Sequence, residues 1–315
     1  MTLALGLLVA AVVLGVGAPA VLCAVLTRVR PGLLLAGWVS SVVLMLATGF
    51  ASALLFALPR GAGLDGFIGM ADSCLNVVRG GEVVGEHLVR VGVAAVLFGL
   101  LGWTLLVAMS MLVRYRRWRR EHLRLLRVVC RCEGSVLWIE GPDPVAYSVG
   151  GRGGAVVATS GVRRLSDRER SAVLAHEHAH LRGRHHALVL VADMVAKALP
   201  FVPLCRRAPG HLRVLVELAA DAAAARRHGP DSVRAALLSV TSAGTPSAAL
   251  AMSRDAVELR LAWLSDGRLG ARGLPGRMGH VLATALALVA TVMTIAAVVA
   301  VVAIYCVAVA EGSFF

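Results

Sequence analysis

The sequence predicts a mainly α-helical membrane protein: four transmembrane helices, with one α+β domain of about 165 residues between the third and the fourth. Three observations predict it. Of 315 residues 58% are hydrophobic, only 16% are charged, and mean hydropathy is +0.77; soluble domains run nearer about 25% charged. Long uncharged runs recur, each able to cross a hydrocarbon core of about 30 Å, which takes about 20 helical residues. Arginines cluster beside some of these runs and not others.

The first run covers residues 1–27, with no charge from Met1 to Leu26. A cleaved signal peptide is the rival reading, but the positive start of such peptides is missing, so a retained helix is expected. After a turn carrying Arg28 and Arg30, the second helix covers 31–59. Residues 60–90 are polar and Gly-rich and form a loop. The third helix, 91–113, ends at RYRRWRREHLRLLR. The fourth, 281–310, would reach about 45 Å at 1.5 Å per residue and must tilt or extend past the bilayer. EGSFF, 311–315, forms a short tail.

Orientation follows from charge. Residues 114–131 hold eight arginines and one acid, Glu121, whereas the 60–90 loop has three basic and four acidic groups. Basic loops stay cytoplasmic. In a bacterial inner membrane, the amino terminus, the 60–90 loop and the tail are therefore expected outside, and residues 114–280 on the cytoplasmic side. The arginine run reads first as an anchor following a membrane helix, then as a lipid-headgroup contact; direct nucleic-acid binding is not expected. The net charge of +13 is nearly all arginine, since Lys197 is the only lysine. Six scattered cysteines, with Cys130 and Cys132 lacking a second pair, argue against a disulfide framework.

Within 114–280, VLWIE (136–140) and AVVATSGV (155–162) read as strands, with GPDP and GGRGG as turns. Ser166 and Glu169 form a capping box that opens a helix running to about Gly183. An apolar stretch at 186–204 follows, expected to be buried or membrane-associated, with Asp193 and Lys197 as a four-apart pair. Further helices are expected at 212–228, 232–242 and 255–264.

Chemistry concentrates in VLAHEHAHLRG, 173–183. At 100° per residue, His176 and His180 point the same way and can share one ion, while His178 faces elsewhere. Glu177 adjoins the first ligand and can reach a water on the metal. This is H-E-x-x-H, the zinc-hydrolase arrangement with glutamate as general base. Catalytic zinc takes three protein ligands. Downstream, LVELAADAAAARR offers Glu217 and Asp221, four apart: Glu217 can complete the site, and Asp221 can fix a ligand histidine through its other ring nitrogen. A solvated acidic edge is the bland alternative for this pair. No oxyanion stabiliser is identified; His185, His186 and Arg226 are candidates.

AVLAHEHAH followed by ELAAD resembles the integral-membrane gluzincin peptidases, a group that includes HtpX-type and CAAX-processing enzymes. With TSGV before the capping box and ELRLAWL at 258–264, the nearest resemblance is to the BlaR/MecR-type sensor-transducer peptidases. The resemblance implies a cytoplasmic α+β gluzincin-like metalloprotease domain with Zn2+ held by His176, His180 and Glu217, Glu177 as base and Asp221 behind the ligands. It implies a protein substrate, a cytoplasmic winged-helix repressor, and a signalling role; a dimer is possible. One departure is plain. Sensor members carry a Ser-x-x-Lys nucleophile, and here Met194 stands three places before the only lysine, so the input signal must differ. Membrane quality control of the HtpX kind, a metal transporter or sensor, and a scaffold with a dead site are the alternatives; the uncharged runs lack the polar ligands a transporter would place in its spans.

Overall fold

The computed structural model describes residues 2–24, 31–57, 83–242 and 254–265. The expected fourth span, the tail and most of the 60–90 loop lie outside the described residues. Among the described residues, three helices are long and apolar enough to cross a membrane: α1 (Thr2–Ala24), α2 (Pro31–Ala57) and α3 (Val83–Val129). Neither α1 nor α2 carries a charge.

α3 differs from the expectation of a 91–113 span. It starts at Val83, inside the expected loop, and continues through the arginine segment as one 47-residue helix. RYRRWRREHLRLLR contains no Gly or Pro and is rich in arginine and leucine, strong helix formers, so charge ends the apolar run without ending the helix. Leu123 and Leu126 bury one face of this extension against the sheet residues Leu137, Val149 and Val157.

The sheet has four strands: β1 (Arg131–Glu133), β2 (Val136–Ile139), β3 (Ala146–Val149) and β4 (Ala155–Thr159), in the order β1-β2-β4-β3. β2 and β4 pair in parallel, and β1 and β3 are antiparallel edges. The two edge strands were not expected. They are only three and four residues long, too short for alternation to show. A 3-10 turn (Ser160–Arg164) leads to α4 (Asp167–Arg182), whose capping box is formed: Glu169 N–H donates to Ser166 Oγ, and Glu169 Oε2 accepts from Ser166 N–H at 3.1 Å.

The apolar stretch at 186–204 is two helical pieces, not one. α5 (His185–Ala198) stops before Pro200, and α6 (Pro203–His228) begins with proline at its first position, where the missing N–H costs nothing. α6 starts nine residues earlier than the sequence suggested. It passes through Pro209 and Gly210 because Leu204, Ala208, Leu212 and Leu215 form one buried stripe. α7 (Pro230–Ser242) and α8 (Arg254–Ser265) complete the domain.

α5 and α6 form a hairpin packed against α1, α2 and α3, sharing a core with Trp38, Met45 and Val107. Its turn rises to the middle of α1: a Cβ on Gly15 would stand 3.0 Å from Val202 Cγ1. Lower down, His211 Nε2 lies 3.4 Å from Cys23 Sγ, and its ring stacks on Trp38. Both contacts keep nearly one sequence offset, so α1 and the start of α6 run parallel, side by side. Asp193 pairs with Arg213 across the hairpin at 2.8 Å, not with Lys197; the antiparallel partner offers a guanidinium directly opposite. A second core joins the sheet, α4, the end of α6, α7 and α8.

Candidate metal centre

α4 and the second half of α6 meet through small side chains. Ala172, Ala175 and Ala179 on α4, and Ala220, Ala224 and Ala225 on α6, are all buried. Small residues at a helix crossing shorten the distance between axes, and this brings the polar residues between them into direct contact.

His176 and His180, one turn apart on α4, face Glu217 on α6. His176 Nε2 is 3.4 Å from Glu217 Oε2, His180 Nε2 is 3.5 Å from Glu217 Oε1, and the two Nε2 atoms are 3.1 Å apart. The three ligand atoms lie within 4.8 Å of one another, positioned to bind one metal ion. Each imidazole is turned by a partner on its other nitrogen. His176 Nδ1 lies 2.9 Å from Asp221 Oδ1, off the line of a straight hydrogen bond. His180 Nδ1 lies 3.1 Å from His185 Nδ1. With hydrogen on both Nδ1 atoms, both Nε2 lone pairs point at Glu217. Two lone pairs and a carboxylate converging in this way fit a divalent cation, and the donors are the nitrogen and oxygen types zinc takes.

The electrostatics agree. Burial opposes an imidazolium at His176, but Asp221 and Glu217 outweigh it and carry its pKa up to about 10. The same negative field favours a bound cation in place of that proton. Burial and the neighbouring His176 charge press His180 down to about 3, keeping its lone pair free. Glu217 and Asp221 are both held below the usual carboxylate range: burial opposes ionisation, but His176 and Arg260 outweigh it. Glu177 is raised, chiefly by burial, although the His176 charge and a hydrogen bond from Ser148 pull the other way. A carboxylate raised towards neutrality is the better proton acceptor.

Arg260 was not singled out from sequence. It lies on α8 within ELRLAWL, is 5% exposed, and grips Asp221 with Nε and Nη2, both at 2.6 Å. Its Nη1 reaches Glu217 Oε2 at 3.2 Å. Ser148 on β3 was also missed; its hydroxyl is 3.1 Å from His186 Nε2. A basic residue amid ELRLAWL and a serine in a short strand carry no spacing that marks them. Of the oxyanion candidates, His185 is engaged with His180, His186 faces Ser148, and Arg226 is exposed. His178 stands outside the cluster: Nδ1–H donates to Leu174 O at 2.7 Å, and Nε2 accepts from Ser135 at 2.9 Å.

No curated protein matches the chain, and no solved structure does. Residues 132–256, from β1 through α7 to the start of α8, match the family model of Peptidase family M48, and in this segment the chain is similar to that family of membrane-associated zinc metallopeptidases.

Proposed function

We propose that the protein is an integral-membrane zinc endopeptidase acting in regulatory proteolysis, with a cytoplasmic winged-helix repressor as its substrate. The convergence of His176, His180 and Glu217 on one point carries this reading. Zinc held there supplies Lewis acidity and brings the pKa of a water from about 15.7 towards about 7. The chain's own residues do the rest. Glu177 accepts a proton from water and later returns it to the leaving amine. Asp221 and His185 hold the two imidazoles in orientation. Arg260 fixes both carboxylates of α6. The outer edge of β3, which packs on α4 and has no further strand beside it among the described residues, can take an extended peptide as an added strand, passing Ser148 beside Glu177.

The proposed setting is a bacterial inner membrane, crossed several times, with the amino terminus outside and the peptidase domain inside. The BlaR/MecR-type resemblance supports the repressor substrate; the three apolar helices and the M48 match support the membrane peptidase. Glu177→Gln in the full chain should keep about one zinc per protein and lower cleavage of a co-expressed substrate by about 10²–10⁴-fold. Undiminished cleavage would end the enzyme reading. A second reading, HtpX-like quality control, is favoured by the hairpin that leads from mid-α1 straight down to Glu217. The two differ in breadth: one repressor cut, or many membrane proteins.

A further inference from the structure

The arginine extension of α3 builds a cleft apart from the metal centre, and all of its lining residues but Arg152 lie outside the M48-matched segment. Its walls are Arg119, Arg120, Leu123, Arg124, Arg127 and Val128 of α3, with Arg152 from the β3–β4 loop, around a volume of ≈ 420 Å³. That is far larger than the roughly 30 Å³ of a water and within the usual ligand range of about 300–1,000 Å³. Among the described residues, five guanidiniums line it and no carboxylate does. Glu121, the only acid of the segment, is not among the lining residues.

The loop is fastened to the helix. Arg119 Nη1 donates to Gly150 O at 2.8 Å. Gly151, with φ +101°, lies so close that a Cβ there would run into the Arg119 guanidinium, and a Cβ on Gly153 would stand 3.8 Å from Arg127 Nη2. Arg119 and Arg127 are two helical turns apart, so the GGRGG loop lies along α3 and presents Arg152 beside its arginines. Arg120, Arg124 and Arg127 fall within about 60° of one another around the helix. Planar guanidiniums gathered in this way match phosphate oxygens, which they bind with paired N–H donors. Like charges held together with no acid among the described lining residues call for an anion among them.

We infer that this cleft is a binding site for a phosphate-bearing anion of two or more negative charges. Two sources share that chemistry. Arg119 and Arg120 lie about 9–10.5 Å beyond Val113, the last residue of the apolar run, at 1.5 Å per residue. A headgroup layer adds roughly 5–8 Å to each side of the hydrocarbon. The backbone at the upper end of the cleft therefore lies just beyond the headgroup layer, where arginine side chains leaning back along the helix reach phospholipid headgroups, while its lower end opens to water, where a free polyphosphate could enter.

The experiment uses the full chain in two arms. In nanodiscs of mixed zwitterionic lipid and cardiolipin, native mass spectrometry reads retained cardiolipin. In purely zwitterionic nanodiscs, calorimetry reads binding of tripolyphosphate. The triple variant Arg124→Gln, Arg127→Gln, Arg152→Gln should lower binding at least tenfold in whichever arm the wild type binds. A charge-matched variant beside the cleft, Arg116→Gln, Arg117→Gln, Arg131→Gln, should stay within twofold. Gly151→Ala, which displaces Arg119, should weaken binding without removing any charge. Binding in the first arm alone assigns a lipid headgroup, and in the second alone a soluble phosphate; either supports the site. No binding in either arm, or equal loss in the two triple variants, overturns it.

Discussion

α6 is one continuous helix with two different surroundings. From Pro203 to Val216 its buried residues, such as Leu204, Leu212 and Leu215, pack on the long apolar helices. From Glu217 onward it carries two carboxylates into a setting of histidines and arginine, with Asp221 fully buried. The first half is held by apolar area, which is non-directional and tolerant of exchange. The second is held by charge pairs whose loss leaves a buried ion uncompensated. Damage to the two halves should therefore differ in size and in what it removes.

The largest effect is expected at the ligand. Glu217→Ala deletes the only acidic member of the metal triad and should lower zinc affinity by more than about 100-fold, since even an outer partner is worth 10–100-fold. Zinc per chain after dialysis against a chelator checks this. A variant retaining full zinc would show that the metal sits elsewhere.

Next come Asp221 and Arg260. Either Asp221→Leu or Arg260→Met alone should destabilise the domain by about 3–5 kcal/mol, because the remaining charge stays buried without its partner. The double variant should recover much of that stability, read as the unfolding midpoint in detergent. Zinc affinity should not recover with it, because Asp221 also orients His176. Recovery of both would mean that the pair is structural only.

The apolar half offers a smaller effect with an internal control. Gly15→Leu would meet Val202 Cγ1 and Met45 Sδ, whereas Gly17 has nothing within 4 Å of a built Cβ. Gly15→Leu should cost about 1–3 kcal/mol by overpacking and loosen the hairpin against α1. Gly17→Leu should be close to neutral. Equal thermal shifts would contradict the parallel seating of α6 on α1.

Legibility in the sequence divided along the same line. His176, Glu177 and His180 were visible because four-residue spacing on a helix is itself a geometry, and Glu217 with Asp221 repeated that spacing. Ser166 and Glu169 were visible because a capping box is local. Arg260 was hidden: its partners are 39 and 43 residues away, and nothing near it in sequence marks the contact. The split at Leu199–Val202 was signalled by Pro200 and Pro203, yet the same signal at Pro209 and Gly210 was overruled by the apolar stripe of α6. The strands β1 and β3 were too short to carry a period. His185 was noticed for its chemistry, but its actual neighbour, His180 Nδ1, depends on a chain reversal at Arg184, the described non-glycine residue with positive φ.

The smallest expected effect is at the start of α4, where the ligand helix is set in register far from any metal. Ser166→Ala removes the acceptor for Glu169 N–H and should cost about 1 kcal/mol. The same site gives a pH dependence. Hydrogen bonds from Ser166 and from Ser239 hold the Glu169 carboxyl below its ordinary value. Its folded pKa is thus depressed, so its contribution is complete above the unfolded value of about 4.3 and fades as pH falls through the folded one. Glu169→Gln should flatten the acid side of the stability curve slightly and leave stability at pH 7 lower, measured by chemical unfolding between pH 3 and pH 7. Because Glu169 is bonded to Ser239 on α7 as well as to its own helix, the loss should exceed that of Ser166→Ala if α7 is anchored through it. An equal or smaller loss would confine the carboxylate's work to the cap, and would separate the register of α4 from the packing that brings α6 to it.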